Sequence, residues 1–184
     1  GRSTRMGKPK QTLPWGATTI IGQIVNRLQA RGVAQIVVVT GRARAEVESV
    51  LADSGARFVF NPDFERGEMA SSLQVGLRAL PETCSAALAV LGDQPQIATE
   101  VVRAVMQRWR ETLAPIVAPS FHMRRGHPLL FDRAVWPEIL ALPGGANPRE
   151  YLRTAQGVEH VAVDTDSILR DVDTPEEYER EKKR

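Results

Sequence analysis

The chain has 184 residues, of which 42% are hydrophobic and 25% are charged, and this is the composition of one globular domain with a substantial core. A net charge of +2 excludes the strong positive field that draws a protein to nucleic acid or to an anionic membrane. The single cysteine, Cys84, excludes an intrachain disulfide and fits a reducing compartment. No apolar run approaches the ~20 residues that span a bilayer, and no signal-peptide pattern is present, so we expect a cytoplasmic protein.

Apolar periodicity predicts helices and strands that alternate along the chain, which is typical of a mainly parallel α/β sheet. In chain order we expect a helix over 18–31, a strand over 35–40, a helix over 43–54, a strand over 57–61, a helix over 68–80, a strand over 86–91, a helix over 100–112, strands over 115–119 and 127–131, helices over 132–141 and 147–156, strands over 158–163 and 168–172, and a helix over 175–183. The apolar runs within 35–40 and 86–91 are continuous, so these strands are predicted to be buried on both faces. Thr99 and Thr174 are predicted helix N-caps.

Ligands bind at the carboxyl ends of the strands in a sheet of this type. The polar segments expected at that edge are 61–72, 92–95, 120–128 and 171–174. The candidate chemistry of the chain is therefore expected at one edge of the sheet.

The first ten residues combine glycines, hydroxyl residues and basic side chains. Small residues let backbone N–H groups approach phosphate oxygens closely, and Arg5 and Lys10 add charge-assisted hydrogen bonds to the same anion. The spacing is not that of a Walker loop, because neither Ser nor Thr follows the Gly-Lys pair. A basic N-terminal tail without a ligand explains the same composition.

Carboxylates stand at two of the predicted strand ends. Asp93 follows a buried strand within Gly92-Asp93-Gln94-Pro95, where it suits a hard cation such as Mg²⁺ or, alternatively, starts a tight turn. Asp171 and Asp173 lie two residues apart, so alternation puts them on one side of a strand, and one of them could be a second metal ligand. Thr174 before Pro175 is the favoured cap of the last helix, and the choice between the two aspartates stays open.

Two further segments suit polar ligands. Ser71 and Ser72 follow a glycine at the start of a helix, where they bind an anion or a base edge or, alternatively, cap the helix. Arg124 and Arg125 stand beside Gly126-His127-Pro128, which suits a loop that contacts phosphate, or a solvated turn.

The order of these segments resembles the MobA-like nucleotidyltransferases, and in particular their molybdenum cofactor cytidylyltransferase branch. The resemblance covers essentially the whole chain and rests on Gly1-x-Ser3-x-Arg5-Met6-Gly7-x-x-Lys10, Gly67-x-Met69-x-Ser71-Ser72-Leu73-x-x-Gly76-Leu77, Leu91-Gly92-Asp93-Gln94-Pro95, Arg125-Gly126-His127-Pro128 and Asp171-Val172-Asp173-Thr174-Pro175. It implies one nucleotidyltransferase domain over 1–184, with a Rossmann-like three-layer α/β sandwich and a mainly parallel sheet. The family loop normally begins with a strand and Leu-Ala-Ala, which this sequence lacks, so we expect a central N-terminal strand to be missing.

The resemblance also implies a reaction, in which CMP passes from CTP to the terminal phosphate of molybdopterin and pyrophosphate is released. The resemblance implies that the triphosphate is bound by Gly1, Ser3, Arg5 and Lys10, and that Lys10 also neutralises charge on the leaving group. It implies that Mg²⁺ is bound by Asp93 and Asp173. It further implies that the base and ribose lie near Asn61, Ser71 and Ser72, and that the acceptor is bound by Arg125 and His127. No general base is needed, because the attacking phosphate oxygen is already ionised, and catalysis would rest on positioning and charge stabilisation.

Two alternatives remain. A related enzyme of the same fold would use another nucleotide or acceptor, as in guanylyl transfer or transfer to a sugar phosphate. A non-catalytic subunit would instead bind molybdenum cofactor and deliver it to a target enzyme. The presence of both Lys10 and Asp93 argues against a non-catalytic role. We also expect transient contact with a molybdoenzyme or its chaperone, and no nucleic-acid or membrane partner.

Overall fold

A computed structural model of the chain describes residues 9–65, 69–143 and 145–183. Its strands are β1 (Pro14–Trp15), β2 (Thr18–Thr19), β3 (Val37–Thr40), β4 (Arg57–Phe60), β5 (Ala86–Ala89), β6 (Ile116–Phe121), β7 (Arg124–Arg125), β8 (Leu129–Asp132) and β9 (Val158–Ala162). Its α-helices are α1 (Ile20–Gln29), α2 (Arg44–Val50), α3 (Met69–Ala79), α4 (Thr99–Thr112), α5 (Trp136–Leu140), α6 (Pro148–Thr154) and α7 (Pro175–Lys182). Short 3-10 turns occupy Lys10–Thr12, Arg133–Val135 and Asp166–Leu169. Within the described ranges, no helix is long and apolar enough to cross a bilayer.

The long strands form two groups. β3 and β4 pair in parallel. The larger sheet has the order β5-β8-β6-β7, and β9 joins it beside β6. Because β8 pairs antiparallel with both β5 and β6, and β9 pairs parallel with β6, the strands β5, β6 and β9 share one direction. Their carboxyl ends therefore lie at one edge, as predicted for the site.

Helix α1 supplies the core that the two groups of strands share. Thr19 caps this helix by accepting a hydrogen bond from the backbone N–H of Gly22. The buried face includes Ile20 and Val25, and the cluster around it contains Val38 of β3 and Leu88 of β5. One amphipathic helix thus packs against strands of both groups.

Most predicted elements are found with bounds that shift in either direction, and two details differ. The strand predicted over 168–172 is wrong, because 166–169 form a 3-10 turn and the next residues bond to the loop after β5 rather than to a strand. Ala98 rather than Thr99 is the N-cap of α4, since the chain enters the helix one residue earlier than predicted. The Thr99 hydroxyl donates to the Glu100 carboxylate instead (3.0 Å).

The burial predicted for two strands is found only in part. Val37, Val38 and Val39 in β3 are only partly buried, and so is Leu88 in β5. Among the described strands, β3 pairs only with β4, and β5 pairs only with β8. Each strand therefore has one edge that no described strand covers, which leaves its apolar side chains more exposed than in the middle of a sheet.

Candidate active site

Three charged side chains from distant parts of the sequence meet at the carboxyl end of β5. Lys10 lies on the first 3-10 turn, Asp93 follows β5, and Asp173 precedes α7. The Lys10 Nζ donates to Asp93 Oδ2 at 2.7 Å and to Asp173 Oδ1 at 2.5 Å. The structure therefore brings together three residues that were predicted to serve one site.

The Lys10 ammonium is the most buried charge of this cluster. Its side chain is 9% exposed, against 24% for Asp93 and 54% for Asp173. Burial alone would lower the pKa of Lys10, but the charges and hydrogen bonds of the two carboxylates outweigh burial, so the pKa is raised from its ordinary value. The lysine is held in its charged form.

A set of hydrogen bonds joins the loop after β5 to the segment before α7. The Val172 backbone N–H donates to the Asp93 carbonyl (3.0 Å), and the Val172 side chain is fully buried. The buried Gln94 amide donates to Asp171 Oδ1 at 2.6 Å, and the Gln96 amide donates to the Arg170 carbonyl. These bonds hold the two carboxylate-bearing segments side by side.

The structure gives Asp171 and Asp173 different partners. Asp173 pairs with Lys10, whereas Asp171 accepts from Gln94. The pKa of Asp171 is raised, first by partial withdrawal from water and then by the nearby negative charges, while the hydrogen bond from Gln94 opposes the rise. Asp173 is therefore the aspartate that belongs with Asp93 and Lys10.

The backbone at Asp173 is set by the start of α7. Thr174 Oγ1 accepts from the Glu177 N–H (3.2 Å), and Glu177 Oε2 accepts from the backbone N–H groups of both Asp173 and Thr174 (2.9 Å each). This capping box confirms the predicted Thr174 cap. It also fixes the chain at the residue that carries the second carboxylate.

The donor set fits a hard cation shared with phosphate. Asp93 Oδ1 is buried, and it has no hydrogen-bond donor among the described residues. A carboxylate oxygen is the ligand type that Mg²⁺ prefers, and Mg²⁺ is commonly held by one or two carboxylates together with substrate phosphates. The described part of the chain contains no group of three His, Cys, Asp or Glu side chains that would hold a metal without such a substrate.

Asn61 and two serines form a second polar cluster at the carboxyl end of β4. The Asn61 Nδ2 donates to Ser71 Oγ (2.9 Å) and to Ser72 Oγ (3.1 Å) in the first turn of α3, and Oδ1 accepts from the Asp63 N–H (3.0 Å). Asn61 is 1% exposed. The Asn61 amide therefore makes its hydrogen bonds within the protein. Nucleotide binding by this cluster stays a prediction.

The predicted acceptor residues have partners in the protein as well. Arg125 donates to the Leu152 carbonyl of α6 at 3.1 Å, and the His127 N–H donates to the Ile168 carbonyl at 3.2 Å. A Cβ at Gly126 would lie 2.2 Å from the Ile168 carbonyl oxygen, so only glycine fits between the two. The role of Arg125 and His127 in acceptor binding stays a prediction.

Some site residues lie outside what the structure describes, and others were missed. Gly1, Ser3 and Arg5 precede the described residues. Gln94 and Glu177 have no predicted role, although Gln94 hydrogen-bonds Asp171 and Glu177 holds the backbone of Asp173. A glutamate three residues after Thr174 is the sequence signature of a capping box and could have revealed Glu177.

Comparison with known proteins identifies the family. The family described as "MobA-like NTP transferase domain" matches residues 1–162. The chain belongs to this family. It is therefore a MobA-like nucleotidyltransferase, as the motifs predicted.

Individual relatives of this MobA-like transferase cover nearly the whole chain. It is 28% identical to the molybdenum cofactor cytidylyltransferase of Escherichia coli (strain K12), over 100% of this chain and 92% of that protein. It is 29% identical to the nicotine blue oxidoreductase of Paenarthrobacter nicotinovorans, over 98% of this chain and 91% of that protein.

A solved structure with a similar fold is Rv0371c from Mycobacterium tuberculosis H37Rv, with a TM-score of 0.87, 31% identity, and coverage of 100% of this chain and 94% of that chain. The same protein solved as a complex with manganese gives a TM-score of 0.82, 27% identity, and coverage of 97% and 94%. This likeness confirms the predicted Rossmann-like α/β fold.

The capping box of this MobA-like transferase gives a stability prediction. Thr174→Ala removes the hydroxyl that accepts from the Glu177 N–H, and we expect it to lower the free energy of unfolding by about 1 kcal/mol. Thr174→Ser keeps the hydroxyl and should stay near the wild-type value. Urea denaturation followed by circular dichroism measures both variants, and equal unfolding free energies for Ala and Ser would contradict the assigned cap.

Proposed function

We propose that this protein transfers CMP from CTP to the terminal phosphate of molybdopterin and releases pyrophosphate. The observation that carries the proposal is the Lys10 ammonium between the Asp93 and Asp173 carboxylates at the carboxyl end of β5. Family membership supports nucleotidyl transfer, and the name of the E. coli relative supports the cytidylyl donor and the molybdenum cofactor acceptor.

Lys10 would act on the triphosphate through its charge. The two carboxylates keep the ammonium charged, and it lies on a short turn directly after the basic N-terminal segment. An ammonium in this position can stabilise the negative charge of the triphosphate and the charge that develops on the departing pyrophosphate. The attacking phosphate oxygen is already ionised, so positioning and charge stabilisation suffice without a general base.

Asp93 and Asp173 would hold Mg²⁺, and the unpartnered Asp93 Oδ1 is the atom most suited to this role. When bound, the cation neutralises charge on phosphate oxygens. The manganese complex of Rv0371c supports a divalent cation in the family. Gln94, Val172 and the α7 cap would keep the two carboxylates at a constant spacing.

One relative is named a cytidylyltransferase and the other an oxidoreductase, so their names alone do not select a reaction for this protein. The proposed reaction therefore rests on the chemistry of the site. Paired carboxylates around a charged lysine act on phosphate and metal charge, which is what nucleotidyl transfer needs. We further propose a cytoplasmic location and transient contact with a molybdoenzyme or its chaperone, since the cofactor product must reach a target enzyme.

The decisive experiment supplies each of the four nucleoside triphosphates with Mg²⁺ and molybdopterin and measures pyrophosphate release. Release with CTP alone is the expected result. Release with GTP or with a sugar phosphate in place of molybdopterin would overturn the proposed donor or acceptor while keeping nucleotidyl transfer. Tight binding of molybdopterin without release for any triphosphate would instead support the delivery subunit.

Asp93 gives the sharpest mutational prediction. Asp93→Ala removes the carboxylate that pairs with Lys10 and would hold the cation, so we expect turnover to fall at least about 100-fold. Asp164→Ala removes one exposed carboxylate elsewhere and serves as the control. Pyrophosphate release and circular dichroism are measured on both variants, and near wild-type turnover in a folded Asp93→Ala would refute the metal assignment.

Lys10 should compete with a divalent cation for the Asp93 and Asp173 carboxylates when no nucleotide is bound. Lys10→Met removes the ammonium from Asp93 Oδ2 and Asp173 Oδ1, and we expect the affinity for Mn²⁺ to rise. Lys183→Met removes the same charge from an exposed position and is the matched control. Titration calorimetry without nucleotide measures both, and an affinity no higher than that of the control would show that the site is not shared.

A further inference from the structure

A buried ion pair joins the segment before Asp173 to the last turn of α7. Arg170 Nη1 donates to Glu181 Oε2 of that helix. The Glu181 side chain is 1% exposed, and the Arg170 side chain is 20% exposed. Removing two charges from water costs free energy, and well-packed apolar side chains often fill such a space with equal stability. Stability alone therefore does not account for an ion pair at this place.

Further contacts restrict both members of the pair. Arg170 Nε lies 3.3 Å from Asp166 Oδ1 in the preceding 3-10 turn, and Arg180 Nε donates to Glu181 Oε1 at 3.2 Å. The Arg170 carbonyl accepts a hydrogen bond from the side-chain amide of Gln96, in the loop after β5. The position of Arg170 is therefore set from two sides, by α7 and by the loop that also carries Asp93.

The ion pair closes a short loop of chain that contains the second carboxylate. Arg170 and Glu181 are 11 residues apart, and Asp173 lies between them in the sequence. Inside this loop, the Val172 N–H donates to the Asp93 carbonyl at 3.0 Å, and the capping box holds the backbone at Asp173. Because Arg170 lies so close to Asp173 in the chain, a shift of Arg170 moves this carboxylate relative to Asp93.

We infer that Arg170 and Glu181 are positioning residues for the cation site, and that their ion pair holds the Asp173 carboxylate at a fixed distance from Asp93. The inference rests on the proposed function, in which these two aspartates bind a divalent cation. The pair acts through the backbone of Asp173 and not by contact with the cation. Such an effect is expected to be large, because Mg²⁺ demands near-ideal octahedral geometry of its ligands.

The test measures binding of the cation itself. Titration calorimetry with Mn²⁺ and no nucleotide gives the Kd of each variant. Glu181→Met keeps a side chain of similar length and removes the carboxylate that pairs with Arg170. We expect the Kd for Mn²⁺ to rise about tenfold, as for the loss of contacts that support a metal ligand.

Glu179→Met is the matched control for charge. It removes the same negative charge from an exposed position of the same helix. A general loss of attraction for cations affects both variants, whereas only Glu181→Met breaks the ion pair. Glu179→Met should therefore keep a Kd near that of the wild-type protein.

A second comparison separates positioning from stability. The double variant Arg170→Met with Glu181→Met leaves the net charge unchanged and buries no unpaired charge, so we expect an unfolding free energy near the wild-type value. Its Kd for Mn²⁺ should still rise about tenfold, since two apolar side chains make no directed bond that fixes Arg170 and its neighbours. Ile139→Val removes a buried methyl group from the core of α5 and should lower stability while keeping the Kd.

Urea denaturation is measured on the same samples, and the double variant carries the test alone if the unpaired arginine in Glu181→Met prevents folding. A wild-type Kd in folded Glu181→Met or in the double variant would overturn the inference. An equal rise in Glu179→Met or in Ile139→Val would overturn it as well, because the Kd would then follow charge or stability.

Failure of the proposed function looks different from failure of this inference. No binding of Mn²⁺ by the wild-type protein would refute the cation site of Asp93 and Asp173, and the positioning role with it. Binding of Mn²⁺ that depends on the Arg170–Glu181 pair, together with no pyrophosphate release from any triphosphate, would refute the transfer reaction and leave the positioning role standing.

Discussion

The pairing of the Lys10 ammonium with two carboxylates is the interaction on which the site depends. Its members are separated by 83 and 163 residues along the chain, so the pairing exists only when the N-terminal turn, the end of β5 and the start of α7 are all in place. Like charges at this spacing would repel without a cation between them. The lysine is therefore both a member of the site and the charge that lets the two carboxylates lie together.

Hydrogen bonds that do not involve Lys10 hold the same arrangement. The backbone bond between Val172 and Asp93 and the side-chain bond between Gln94 and Asp171 join the two segments, and the buried Val172 anchors them to the core. Since these contacts do not involve Lys10, they support the two carboxylate-bearing segments independently of the lysine.

The Asn61 cluster differs from the Lys10 cluster in its chemistry. One cluster uses formal charge that suits phosphate and a cation, and the other uses an oriented amide and hydroxyls that suit the edge of a base. Formal charge attracts any anion, whereas neutral amide and hydroxyl groups bind only partners that match their donors and acceptors.

Much of this could be predicted from local patterns. Helical periodicity predicted the helices, apolar runs predicted most strands, and motif order predicted the family, because these signals depend on neighbouring residues. The grouping of Lys10, Asp93 and Asp173 also followed from motif order. The strand expected at 168–172 was wrong, because the segment bonds to the loop after β5 and not to a strand, and no local pattern reports the partner of a backbone N–H.

The sequence by itself determined which residue types are available for the chemistry and the order in which the elements carry them. Only the tertiary structure decided that Asp173 and not Asp171 pairs with Lys10, that Arg125 donates to a carbonyl of α6, and that Asn61 contacts serines. The physical reason is that charge pairing and hydrogen bonding act over a few ångströms in space. Which groups come that close is set by the packing of segments that are far apart in the chain.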